Sequence, residues 1–248
     1  MEQTVNTNCE PLGKFSINVS LDHTFGTDAV LLADFAARFR TFVHCDLGTG
    51  CGIIPLLMLN ITAVLKSVGV EIQPEAVKIA ESNIELNSLE EKMQVIGADL
   101  KKIKEHLPSG KFDLVTCNPP YKADGAGNKN ITEAQRIARH EVCCTLFDVI
   151  TAARSLLKFG GRLCLCHRPE RLADIICAMR ENKIEPKYLR EVIQREGEKP
   201  WLILVEGKLG AKSGMSILPP LYVEKDGLLT DEMMKIYGDY KDGHDRII

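Results

Sequence analysis

The chain is 248 residues long, 45% hydrophobic and 26% charged, with Lys+Arg 31 against Asp+Glu 34 and a net charge of −3. That size and balance suit one large globular domain, or one domain with extensions; they do not advertise nucleic-acid binding, although a local basic patch is compatible with them. Nine cysteines with no CxxC, and an N-terminus MEQTVNTNCE without an apolar signal region, read as free thiols in a reducing cytosol, and no apolar run reaches the ~18 residues of a membrane span.

The first segment, KFSINVSLD (14–22), alternates like a strand, and DAVLLADFAARF (28–39) reads as a helix. From residue 42 strands and helices alternate. FVHCDLG (42–48) is a strand and its exit, and GIIPLLMLNITAVLK (52–66) an apolar helix with Pro55 in its first turn. SVGVEI (67–72) is the next strand. PEAVKIAESNIELNSL (74–89) is an amphipathic helix opened by Pro74, with Val77, Ala80 and Ile84 on one face. MQVIGAD (93–99) and FDLVTCN (112–118) are strands, and TLFDVITAARSLLK (145–158) a helix that Gly160 and Gly161 end. RLCLCH (162–167), a helix over RLADIICAMRENKI (171–184), and then KYLREVIQ (187–194) and WLILVEGK (201–208) complete the pattern.

Alternating units predict an α/β, Rossmann-like fold: a mostly parallel seven-stranded sheet with helices on both faces. The last two strands have no helix between them, which predicts an antiparallel strand near one edge. The expected organisation is an N-terminal extension over 1–41, a core over 42–210 and a docked tail over 211–248.

Four strand ends carry polar motifs. DLGTGCG (46–52) follows the first core strand, where glycines permit a tight turn and close ligand approach and free helix-start amides favour an anionic group. Gly48 and Gly50 fit a dinucleotide pattern, but position 53 is Ile53, the third glycine is Gly52, and no P-loop Lys-Ser/Thr pair is present. Glu71 ends the second strand, where a carboxylate can accept from both hydroxyls of a ribose. Asp99 ends the third, placed for an exocyclic amine or to cap the KKIKEH segment. With Asp46, that makes three acids on one rim. They would repel a polyphosphate and suit an adenosine carrying a cationic methionine part, S-adenosyl-L-methionine. The fourth strand ends in NPPY (118–121), either a rigid turn or a working surface.

DLGTGCG, GVEI, GADL and NPPY, in that order, resemble the class I S-adenosylmethionine-dependent methyltransferases over about residues 20–210, and NPPY resembles the subset that methylates exocyclic or amide nitrogens. The resemblance implies cofactor contacts by Asp46, Gly48, Gly50, Gly52, Glu71, Ile72, Asp99, Leu100 and Asn118, with S-adenosyl-L-homocysteine as product. A planar adenine amine is a poor nucleophile. The Asn118 amide oxygen and the Pro119 carbonyl can accept its two N–H groups and favour the tetrahedral, attacking form. Tyr121 offers a face on which a flipped base stacks, beside Pro120.

HTFGTDAVLLADF (23–35) and ARHE (138–141) resemble the bacterial enzymes that N6-methylate adenine 37 of a valine tRNA. That implies Thr27 and Asp28 in a segment closing over the cofactor, although either side chain is also suited to cap the helix there. The same resemblance implies substrate contacts by Arg136, Arg139 and His140 in the long polar loop after NPPY, with a tRNA as partner. No separate RNA-binding domain is visible, so Lys101, Lys102, Lys104, Arg162, Arg168 and Arg171 are candidate phosphate contacts. Within the class, a release-factor glutamine is the second substrate and an rRNA guanine amine the third; residues 1–41 are too short for the helical substrate domain that release-factor enzymes bring. A catalytically silent cofactor- or RNA-binding module is the non-enzyme alternative. His140 with Cys143 and Cys144, and Cys164 with Cys166 and His167, have metal-like spacings, but their apolar settings favour buried thiols and no metal.

Overall fold

A computed structural model describes residues 7–119 and 144–238. An N-terminal hairpin pairs β1 (Asn8–Leu12) with β2 (Phe15–Val19) and leads into α1 (Thr27–Ala37). The core follows in alternation: β3 (Val43–Leu47), α2 (Ile53–Ile61), β4 (Lys66–Glu71), α3 (Pro74–Leu86), β5 (Met93–Gly97) and a 3₁₀ turn (Leu100–Glu105). Then come β6 (Phe112–Cys117), α4 (Leu146–Leu156), β7 (Leu157–His167), α5 (Leu172–Glu181), β8 (Ile184–Ile193) and β9 (Pro200–Leu209). The tail adds the two-residue strands β10 (Ser216–Ile217), β11 (Leu221–Tyr222), β12 (Glu224–Lys225) and β13 (Leu228–Leu229), and ends in α6 (Asp231–Tyr237).

The long strands lie in the order β8-β9-β7-β6-β3-β4-β5. All neighbours from β7 to β5 are parallel, and β9 runs antiparallel between β7 and β8. The expected seven-stranded sheet is therefore present and is widened: β10 and β11 both pair with the β8 edge, making nine strands. Strand order reverses at β3, whose neighbours are β4 and β6, so a crevice opens at their carboxyl ends.

Strand alternation divides the interior into two cores. Cys164 and Cys166 face the α1–α3 side, with Leu31, Leu56 and Ile79; Leu163 and Leu165 face the α4–α5 side, with Ile150 and Met179. The buried cysteines act there as small apolar side chains. Asn83 of α3 and Asn87, the residue that caps its C-terminus, replace a missing strand neighbour. Asn83 accepts from Asn18 N (2.6 Å) and donates to Asn18 O (3.0 Å), and Asn87 does the same with Ser16 (2.8 and 2.7 Å). The polar edge of β2 is thus satisfied by helix side chains, which fixes the hairpin against the core.

Several helix ends fall short of expectation: α3 stops at Leu86 and α5 at Glu181, and two further ends bear on the sheet. The second helix stops at Ile61 rather than near 66, because Thr62 turns extended (φ −131°) and Lys66 already pairs with Val43. The helix expected over 145–158, with Gly160 and Gly161 ending it, stops at Leu156, and both glycines lie inside β7. There a Cβ on Gly161 would stand 3.0 Å from the Phe112 carbonyl oxygen, so glycine lets the strands close. Among the described residues, no helix is long and apolar enough to cross a membrane.

Candidate active site

The ends of β3, β4, β5 and β6 surround a cavity of about 250 Å³. Its walls are Leu47 and Gly48, then Val70, Glu71 and Ile72, then Ala98, Asp99 and Leu100, then Cys117, Asn118 and Pro119; Cys144, Thr145, Leu146, Val149, His167 and Arg171 close it. Seven of the residues expected to contact the cofactor or the target amine meet here: Gly48, Glu71, Ile72, Asp99, Leu100, Asn118 and Pro119. Pro120, Tyr121, Arg136, Arg139, His140 and Cys143 lie outside the described residues.

The glycine loop is tied to the second acid. Gly48, Gly50 and Gly52 all have positive φ (72°, 55° and 85°). Glu71 Oε2 accepts from Gly50 N at 3.0 Å, and Oε1 accepts from Ile72 N and Gln73 N at 2.8 and 2.9 Å. One carboxylate thus holds the turn after β3 and the turn after β4 together. Gly50 and Gly52 support the loop from behind the cavity wall. A Cβ on Gly52 would stand 2.9 Å from Met93 Cε.

Asp46 also stands behind the wall, 1% exposed, beneath the loop. Its Oδ1 accepts from the Thr116 hydroxyl at 2.6 Å, while Oδ2 has no hydrogen-bond partner. Burial raises its carboxyl from 3.8 to about 7, against the pull of Thr116 and the nearby Thr49 hydroxyl, and Glu71 adds a like charge. Burial likewise lowers the neighbouring His44 imidazole from 6.5 to about 3.

These shifts have opposite consequences for stability. The raised Asp46 pKa means the folded chain keeps a proton that the unfolded chain has released. Its stabilisation is complete below 3.8 and is lost as pH rises through about 7. The His44 contribution is present above 6.5 and is lost as pH falls toward 3. Asp46→Asn removes the first effect alone. Its unfolding free energy relative to the parent is expected to climb between about pH 4 and 7, by about 1.4 kcal/mol per pH unit. Urea titrations at several pH values check this, and a pH-independent difference would contradict it.

Asp99 caps the 3₁₀ turn, its Oδ1 accepting from Lys101 N at 2.9 Å, and lines the cavity. Asn118 Oδ1 accepts from the Cys166 thiol at 3.0 Å. His167 lines the cavity with its Nδ1 accepting from Arg168 N (2.8 Å), so its proton sits on Nε2; burial, with Arg171 and Arg168 adding to it, lowers its pKa to about 4 and keeps the ring neutral. Strand alternation turns His167 away from Cys164 and Cys166, so that metal-like trio does not assemble.

Thr27 and Asp28 are not on the cavity wall. The α1 N-cap is Gly26, one residue before the expected cap positions; Asp28 Oδ1 accepts from Ala29 N (2.9 Å) in the first turn. Asp28 nonetheless acts on the Cys166 thiol that bonds Asn118, and Thr27 Oγ1 shares a 2.7 Å hydrogen bond with Tyr237 OH of α6. Of the basic candidates, Lys101, Lys102 and Lys104 are exposed and Arg171 reaches the cavity. Arg162 is instead committed to Glu206 beneath the Phe39 ring, and Arg168 Nη1 donates to Trp201 O at 3.1 Å. His44, Thr116 and Thr145 escaped sequence reading, and His167 stood out only for a metal-like spacing. The signal available for the first was its place two residues before Asp46, on the same strand face.

A doubly wound sheet in this strand order, with a glycine loop after its central strand and Asn-Pro after the neighbouring one, is the architecture of the class I methyltransferases. Residues 13–176 match the methyltransferase small domain, and the chain belongs to that family: it is a methyltransferase. It is 30% identical over 184 residues to a tRNA1(Val) (adenine(37)-N6)-methyltransferase of Parabacteroides distasonis, covering 73% of this chain and 75% of the relative. A protein of the same name from Porphyromonas gingivalis is 29% identical over 188 residues, covering 73% and 72%. Among solved structures, a predicted O-methyltransferase from Agrobacterium tumefaciens superposes with a TM-score of 0.70 at 23% identity, over 90% of this chain and 100% of that one. The M. jannaschii tRNA m1G37 methyltransferase gives 0.58 at 16%, over 85% and 59%. At these identities the two structures speak for the fold alone.

Proposed function

We propose that the chain transfers a methyl group from S-adenosylmethionine to the N6 amine of an adenine in a tRNA, as the names of its relatives suggest. One observation carries the reading: Asn118 and Pro119 share a cavity with Gly48, Glu71 and Asp99, so an amine-polarising pair and a nucleoside-binding rim face one volume.

The residues present fit the donor. Glu71 accepts from its ribose hydroxyls, Asp99 from its adenine amine, and Ile72 and Leu100 flank its base. Asp46, with an unpartnered oxygen beneath Gly48, supplies a negative field to the cationic amino-acid half. The bound donor supplies an electrophilic methyl on a positive sulfur. Asn118 and Pro119 accept the two N–H groups of the target amine and hold its lone pair toward that carbon. The segment carrying Thr27 and Asp28 closes over the cofactor, and Pro120, Tyr121, Arg136, Arg139 and His140 belong to the substrate side.

The test is to incubate the protein with isotopically labelled methyl donor and total tRNA, and separately with release factor, and to identify the product by mass. N6-methyladenine in the tRNA arm is expected. A labelled glutamine in the second arm, with unlabelled tRNA, would replace RNA by protein as substrate; no transfer from the donor in either arm would remove the reading.

A further inference from the structure

The polar chain beneath the glycine loop has a direction. Ser67, His44, Asp46 and Thr116 lie on the adjacent strands β4, β3 and β6, with exposures of 1%, 0%, 1% and 0%. His44 is the direct cross-strand partner of Ser67, and Asp46 of Thr116. The Thr116 hydroxyl donates to Asp46 Oδ1 at 2.6 Å. A hydroxyl has one hydrogen, so Thr116 Oγ1 is the acceptor in its 2.8 Å contact with His44 Nε2. Nε2 therefore carries the imidazole proton. Nδ1 is left bare and accepts from the Ser67 hydroxyl at 2.8 Å. Three hydrogens point the same way, and the series ends on a carboxylate whose second oxygen is buried and unpartnered.

Such an arrangement is costly unless a donor or cation completes it. Among the described residues, Thr116, Thr49 and Glu71 act on the Asp46 charge, and burial keeps the thiols of Cys45 on its own strand and Cys117 on β6 neutral. Glu71 disfavours the carboxylate, and its negative charge is spent on the amides of Gly50, Ile72 and Gln73. The hydroxyls of Thr116 and Thr49 favour it, and Thr116 is the one that the series from Ser67 through His44 orients.

We propose that Ser67, His44 and Thr116 are positioning residues that hold Asp46 as a carboxylate under the glycine turn, ready for the cationic amino-acid half of the methyl donor. The inference rests on the donor reading above and adds to it the device that sets the charge. His44 acts as a neutral link that fixes which way the Thr116 hydrogen points.

Calorimetric titration of the whole chain with two nucleosides tests this. S-Adenosylhomocysteine carries the amine; 5′-methylthioadenosine lacks the amino-acid half. Thr116→Val is expected to weaken the first about tenfold and to leave the second within about twofold. Thr116→Ser, which keeps the hydroxyl, is expected to match the parent. In Thr116→Val the pH below which S-adenosylhomocysteine affinity falls should also move upward, since the carboxylate has lost its donor. If that variant does not fold, Ser67→Ala decides, with a smaller loss in the same sense and the same selectivity. Equal weakening of both nucleosides, or none, overturns the proposal. A parent chain that binds neither nucleoside removes the donor reading itself, and the proposal with it; one that binds both alike removes only the role of Asp46.

Discussion

Replacing Asn118 with Ala is expected to lower kcat by about 10²–10³-fold while leaving the affinity for S-adenosylmethionine within about twofold, because the amide acts on the developing charge of the amine. Asn118 follows the last residue of β6, its backbone set by the strand and its Oδ1 met by Cys166. Truncation removes an acceptor and leaves the Pro119 carbonyl in place, so activity falls without vanishing. The fold should be unaffected, since the side chain is only partly buried and carries no core packing. Single-turnover rates with a tRNA substrate, alongside donor titrations, separate the two parameters. A variant with parental turnover would mean that the amine is activated elsewhere.

Glu71→Ala is the second large effect, and it falls on binding and stability together. The side chain is 4% exposed and accepts three backbone N–H groups from two different turns. Deletion leaves those donors without their partner, at about 1–3 kcal/mol for each that stays buried. Donor affinity is expected to fall by about 100-fold, as the loop bearing Gly48 and Gly50 loses its tether and the ribose loses its acceptor. Glu71→Gln should not rescue it. Both carboxylate oxygens already accept, so an amide must turn its NH₂ toward either Gly50 N or the Ile72–Gln73 pair, donor against donor. Thermal melts and calorimetry read the two consequences; a Gln variant with parental affinity would show that the loop does not depend on this carboxylate.

The residues behind both predictions were visible in the sequence. Asn118 stood out because an amide and two prolines cannot continue a buried strand. Glu71 and Asp99 stood out because a lone acid closes an otherwise apolar run. Each signal is local, contained in a few adjacent residues, and strand periodicity alone places such residues at a sheet edge. Helix ends were less legible. Thr62 and Leu157 leave their helices because Lys66 and Leu157 already have strand neighbours, Val43 and Phe112, and no helical signal foretells that. Asn83 and Asn87 carry no such signal in the sequence, and only the docked β2 shows why both are amides.

The sequence by itself determined the succession of strands and helices, the side of the sheet on which the four motifs emerge, and part of the set of residues that face the cavity. These follow from periodicity and turn chemistry along the chain. Only the tertiary structure decided that Asp46 is buried rather than displayed, that Thr116, 70 residues away, meets it at 2.6 Å, and that His44 joins Thr116 to Ser67. Cross-strand register sets those contacts. It arises when β3 is packed between β4 and β6, a nonlocal choice made by burying both faces of the sheet, and no pattern within a single strand encodes it.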